Sequence, residues 1–205
     1  MDIGVSGAEA ANSSSSRIIL LRHAHTEMAG RFCGHIDPPL SEQGLGQLAA
    51  TAQTLVRHPL SHIFSSDLLR ARQTADSIAA YSGLHVEVLP ALRELNFGEW
   101  EGLSWTEVSA RYPEHAQLWM EQYPLLSAPG GENFRDLQIR VRDALTQVAD
   151  CTFGGCALVV THGGFIRTAI LMAQKLPDGA LASLECGYAC YVELCRSGGN
   201  WELRK

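Results

Sequence analysis

The chain has 205 residues, 46% of them hydrophobic and 19% charged, with a formal net charge of −6. This is the length of one ordinary domain able to bury a core, and the proportions of a globular protein, not a disordered one. The acidic balance argues against a general nucleic-acid binder, and no apolar run approaches the roughly 20 residues that span a bilayer.

Residues 1–16 are small and polar and end in four serines, without the basic start and apolar centre of a secretory leader. They are expected to be a flexible tail on a cytoplasmic protein, with 17–205 forming a single domain. The six cysteines (33, 151, 156, 186, 190 and 195) contain no Cys-x-x-Cys pair and are expected as reduced thiols.

The first strand is predicted over Arg17–Leu21. A helix follows with Ser41 as N-cap and Leu45, Leu48, Ala49, Ala52, Leu55 and Val56 on its inner face. A short strand around His62–Phe64 ends at Ser65-Ser66. The next helix starts near Asp67 and stops at Gly83, and His85–Leu89 reads as an edge strand closed by Pro90. Residues 92–129, rich in Trp, Tyr and Pro, read as an irregular insertion folded over a site, a cap at about 95–130.

Apolar residues at 134, 137, 141, 145 and 148 predict an amphipathic helix, and Cys156–Thr161 a central strand. Gly163-Gly164 opens a helix through Leu171. Residues 188–203 form a closing hairpin around Ser197-Gly198-Gly199-Asn200. The alternation of strand and helix predicts an α/β fold, with a mostly parallel sheet covered on both faces.

Four stretches carry chemistry. Leu21-Arg22-His23-Ala24-His25-Thr26 places a cation and an imidazole where the first strand delivers its side chains to the sheet edge, where α/β proteins bind ligands. Phosphoryl transfer through histidine needs a neutral ring nitrogen in line with the leaving oxygen and cations on the phosphoryl oxygens. His23 and Arg22 suit those roles, although an isolated Arg-His pair is more often a plain strand end.

Ser65–Ala75 places arginines in the first turns of a helix at another strand end. Arg70 and Arg72 lie about 200° apart around the axis, so only one points inward. Val159-Val160-Thr161-His162-Gly163-Gly164 repeats the first layout, with a glycine-rich helix start whose N–H groups suit an anion and with His162 as a further donor.

Leu92–Gly102 supplies Glu94, Glu99 and Glu101 as candidates to protonate a departing alkoxide and then activate water. That role needs a pKa well above the usual ~4.3. Composition does not choose among the three.

Together these stretches resemble the histidine phosphatase superfamily, and the resemblance runs from about Arg17 to the end. Residues 21–26 are similar to its Leu-Arg-His-Gly-x-Thr motif, and residues 66–75 to its Ser-x-Leu-x-Arg-Ala-x-x-Thr-Ala pattern. The resemblance implies a three-layer α/β/α sandwich of the phosphoglycerate mutase-like kind. It implies His23 as phosphohistidine, Arg22 and Arg70 (rather than Arg72) as phosphate ligands, Glu94 as proton donor, and His162-Gly163 completing the phosphate pocket. Cys33 and Gly34 would lie near the phosphate by position.

Two departures stand out. Ala24 replaces the motif's glycine, and Ala29 stands where many members carry an asparagine that touches phosphate. The missing donor is worth about 1.5–3 kcal/mol if nothing replaces a charge-assisted bond.

Leu95 sits where mutases carry an arginine, and no two arginines are adjacent, so the mutase reading fits poorly. Residues 30–41 and Pro129-Gly130-Gly131-Glu132-Asn133 are similar to the small phosphatases, above all the α-ribazole phosphatases of cobalamin synthesis and broad-specificity enzymes of the same build. The expectation is a metal-independent phosphomonoesterase acting on a small phosphate ester, with no cofactor and no nucleic-acid or membrane partner. The cap aromatics Trp100, Trp105, Tyr112, Trp119 and Tyr123 would determine the leaving group. The competing readings are a mutase-type phosphotransferase, a metallohydrolase built on His23, His25 and His162, and a non-catalytic phosphate-binding relative.

Overall fold

The computed structural model describes residues 16–197 and 199–204. The tail expected over 1–16, apart from Ser16, and Gly198 of the closing turn lie outside the described residues. Ser16 already belongs to the packed structure: it is buried, and its hydroxyl donates to Ala149 O.

Six strands form one mixed sheet in the order β3-β2-β4-β1-β5-β6. They are β1 (Arg17–Arg22), β2 (Leu60–Ser65), β3 (Val86–Val88), β4 (Cys156–Thr161), β5 (Tyr191–Ser197) and β6 (Asn200–Arg204). The first four are parallel, and the hairpin β5–β6 adds two antiparallel strands at the β1 side. Alternation along the pleat divides the core between two faces. Ile18 and Leu20 of β1 with Ala157 and Val159 of β4 pack on α5 (Phe134–Thr152) and α6 (Gly163–Ala173). Ile19, Leu21, Leu158 and Val160 face α1 (Glu42–Leu55) and α2 (Leu69–Ser82). The three-layer arrangement is therefore present.

Local signals explain the boundaries. The Ser41 side chain caps α1 by accepting from Gly44 N, and Gly83 ends α2 at φ +72°. The five apolar positions expected along α5 are all buried.

Two expectations need correction. The inner face of α1 is Gly44, Ala52 and Leu55, while Leu45, Ala49 and Val56 are exposed. The helix is turned because Gly44 presses on the main chain of His25: a Cβ there would lie 2.0 Å from His25 O. Residues 92–129 are also not merely irregular. They hold two helices, α3 (Trp105–Arg111) and α4 (Pro113–Gln122), the first opened by a reciprocal Ser104–Glu107 capping box and the second by Pro113 at its first position. These helices close over a small core of Trp100, Val108, Ala116 and Ala128. No described helix is long and apolar enough to cross a membrane.

Candidate active site

Strand register brings the two histidine motifs together. Arg22 pairs with Thr161 across the parallel β1–β4 ladder, and His23 N donates to Thr161 O at 3.0 Å. The residues after each strand, His23 and His162, are therefore neighbours, with ring centroids 5.1 Å apart. On the other side of β4, Ser66 N donates to Val160 O, which brings the start of α2 and Arg70 to the same carboxyl edge.

His23 is buried, and its Nδ1 lies 2.8 Å from Ala24 O. A carbonyl only accepts, so Nδ1 carries the hydrogen and the neutral ring keeps its lone pair on Nε2. Burial first, then the Arg70 guanidinium, pushes the pKa of His23 well below the ordinary histidine value. The ring is thus neutral at physiological pH. His162, the N-cap of α6, is completely buried, and burial first, with the Arg70 guanidinium acting in the same sense, pushes its pKa well below the ordinary histidine value as well.

Arg70 is 1% exposed, while Arg72 points to solvent. Its two terminal nitrogens donate to the carbonyls of Ile36, Cys33 and Gly34 at 2.8, 3.0 and 2.8 Å. Burial lowers its pKa from the ordinary value, with the Glu94 charge acting in the opposite sense. Arg22 donates to Cys186 O and lies 3.8 Å from the centroid of the Tyr188 ring.

Arg22 Nε, Arg70 Nε and both ring nitrogens of His162 are buried without a hydrogen-bond partner among the described residues. Orphaned buried donors cost about 1–3 kcal/mol each, and several beside one imidazole mark a place built for an oxyanion. No group of three or more His, Cys, Asp or Glu side chains suited to a metal occurs among the described residues. His25 Nδ1 is engaged with Ser41 Oγ at 2.8 Å.

Geometry separates the three glutamates. Glu101 accepts four main-chain N–H groups, from Gly34, His35, Ile36 and Phe97, so it is an internal clamp for the 33–36 loop. Glu99 is exposed and accepts from Tyr112 Oη. Glu94 accepts from Gly164 N and Leu95 N, both at 2.9 Å, which puts its carboxylate at the α6 N-terminus beside His162. The helix start expected to cradle an anion therefore gives its Gly164 N–H to the Glu94 carboxyl group.

Gly163 and Gly164 allow close approach. A Cβ would lie 3.3 Å from Arg22 Nε at the first and 2.2 Å from Glu94 Oε1 at the second. Cys33 and Gly34 enter through their carbonyls, which seat Arg70. The Cys33 thiol lies 3.5 Å from Met28 O, and the Gly34 N–H serves Glu101.

Sequence reading missed two supports. Tyr188, expected inside the closing hairpin, lies before β5 with its ring 5.5 Å from His23 and 5.0 Å from His25. Thr74 Oγ1 accepts the Ala24 N–H, fixing the main chain after His23. The helical spacing of Thr74 one turn beyond Arg70 was the available signal. Nothing local marks Tyr188.

Fold and site together define an α/β protein whose strand edge presents paired neutral imidazoles between two guanidinium groups. The chain belongs to the histidine phosphatase superfamily (branch 1), which residues 18–205 match. It is 39% identical over 166 residues to the metal-independent phosphoserine phosphatase of Arabidopsis thaliana, covering 78% of this chain and 69% of that one. It is 30% identical over 186 residues to the adenosylcobalamin/α-ribazole phosphatase of Salmonella typhimurium, covering 87% and 91%. The native structure of the mycobacterial glucosyl-3-phosphoglycerate phosphatase superposes with a TM-score of 0.82 at 30% identity, over 92% and 97% of the two chains. Another relative, a bifunctional protein of Mycobacterium tuberculosis, is 34% identical over 186 residues, and the chain spans only 51% of its length.

Proposed function

We propose that this chain is a metal-independent phosphomonoesterase that hydrolyses a small phosphorylated metabolite through a phosphohistidine at His23. The observation that carries the reading is the neutral, Nδ1-protonated His23 ring, which leaves the Nε2 lone pair free beside orphaned donors of Arg22, Arg70 and His162.

In the first step Nε2 attacks phosphorus and the ester P–O bond breaks. Arg22, Arg70 and His162 hold the phosphoryl oxygens, and Glu94 hands its proton to the departing alkoxide. In the second step water attacks the phosphohistidine, Glu94 takes the water's proton, and phosphate leaves with His23 restored. Leu95, directly after Glu94, stands where the mutases carry an arginine, which argues against the mutase reading. The absence of a metal-ligand cluster among the described residues argues against the metallohydrolase reading.

Phosphoserine, α-ribazole phosphate and glucosyl-3-phosphoglycerate are the candidate substrates that the relatives suggest. The six free cysteines suit a reducing cytoplasm. The test is turnover of p-nitrophenyl phosphate in excess chelator, with acid-labile labelling by substrate phosphate. Both are expected in the native chain and absent in His23→Ala. Near-normal turnover by that variant overturns the assignment, and chelator-sensitive turnover restores the metal alternative.

A further inference from the structure

A cavity of about 360 Å³ lies beneath the cap, between α4 and the start of α6. Its size is that of pockets for organic ligands of some bulk, well beyond what phosphate alone requires. Leu95 and Gly164, the two residues whose N–H groups hold Glu94, form part of its wall, so the cavity borders the proposed proton donor. Phe32, Trp119, Tyr123, Phe134 and Leu181 supply apolar surface. Of the five cap aromatics, only Trp119 and Tyr123 line it. Trp100 is instead fully buried in the cap's own core.

Two charged residues reach this wall. Glu132 is neutralised by Arg140, which donates to both carboxylate oxygens at 2.9 and 2.6 Å. Arg167 differs. Its Nε donates to Gly163 O at 3.2 Å, and no carboxylate lies within 4.0 Å of it among the described residues, so its two terminal nitrogens remain for a ligand. A half-buried guanidinium in an apolar wall, presenting a flat pair of donors, suits a carboxylate taken end-on. Tyr123 belongs to the same wall, and burial raises its phenol pKa, so its hydroxyl keeps its hydrogen and can donate as well.

We propose that this cavity takes the leaving group and that Arg167 selects a leaving group bearing a carboxylate beyond an apolar body. The proposal rests on the phosphatase reading, which it deepens by naming a substrate class. Serine and glyceric acid carry the carboxylate without the apolar body, and α-ribazole has no carboxylate, so the proposal ranks the first two above the third and calls for a bulkier acid than either.

The test compares 4-(2-carboxyethyl)phenyl phosphate with 4-propylphenyl phosphate, two aryl esters of similar shape and leaving tendency. The native chain should favour the carboxylate ester by about ten-fold or more in kcat/KM, mostly through KM, the size of one charge-assisted hydrogen bond. Arg167→Met should bring the ratio close to one, and Arg167→Lys should retain part of it. A native ratio near one, or a ratio that Arg167→Met leaves unchanged, overturns the proposal.

Failure of the phosphatase reading gives a different result, with neither ester turned over. Calorimetry with 3-(4-hydroxyphenyl)propionate, the dephosphorylated product, then decides the pocket alone. Binding at least about ten-fold weaker in Arg167→Met supports it, and equal or absent binding in both proteins refutes it.

Discussion

Glu101→Gln preserves size and shape but turns one acceptor oxygen into an NH2 group. In the native chain one carboxylate oxygen accepts from Gly34 and Ile36, and the other from His35 and Phe97. Whichever way the amide is turned, two main-chain N–H groups lose their acceptor and face another donor. At about 1–3 kcal/mol for each orphaned donor, the substitution costs about 2–6 kcal/mol, towards the lower end because the side chain is only half-buried. The damage should spread to phosphate binding, since the carbonyls of Cys33, Gly34 and Ile36 seat Arg70. Urea unfolding followed by tryptophan fluorescence measures the first effect, and competitive inhibition by inorganic phosphate the second. A stability loss below about 0.5 kcal/mol, the scatter of ordinary surface substitutions, with phosphate inhibition unchanged would refute the clamp.

Acid should weaken the fold through the paired histidines. Their pKa values are depressed in the folded state, so below about pH 6.5 the unfolded chain binds protons that the folded one does not. Their contribution is complete above that pH and is lost as pH falls, by up to about 1.4 kcal/mol per pH unit for each ring. Urea midpoints taken downwards from neutrality should show this slope, and His162→Gln should flatten it; identical slopes would remove the cause. Glu94→Gln should lower kcat/KM, which reports on formation of the phosphohistidine, by about 100-fold or more for alkyl phosphates and far less for p-nitrophenyl phosphate, and an equal loss for both argues against proton donation. Phe153 ends α5 at φ +44° and is 91% exposed, so Phe153→Gly should raise stability by roughly 1 kcal/mol in thermal or urea unfolding; a loss would mean that its ring contributes packing.

The sequence shows those features that depend on neighbours along the chain. β1 and β4 end in the same strand–histidine layout, and a parallel register then brings His23 and His162 together. Helix period allowed only one of Arg70 and Arg72 to point inward, and the likeness to the family motif chose Arg70. What stayed hidden depends on partners far along the chain. By residue chemistry Glu94, Glu99 and Glu101 are alike, and only the family motif singled out Glu94; the separate partners, the 33–36 loop for Glu101 and Gly164 for Glu94, were not legible. The inner face of α1 was misjudged because contact between Gly44 and the His25 main chain outweighs the count of apolar side chains. The cap helices are announced locally by Ser104-x-x-Glu107 and Pro113, but they are short, and the aromatics and prolines around them mask the helical period.

The order in which the site is completed follows from the segment before β5. Cys186 O and the Tyr188 ring hold the Arg22 guanidinium, and Ala189 N donates to His23 O. A chain emerging from the ribosome has made both histidine-bearing strands by the time residue 162 appears, but nothing yet fixes the arginine beside the first of them. A chain ending before residue 186 would therefore keep both histidines and lose the groups that hold Arg22.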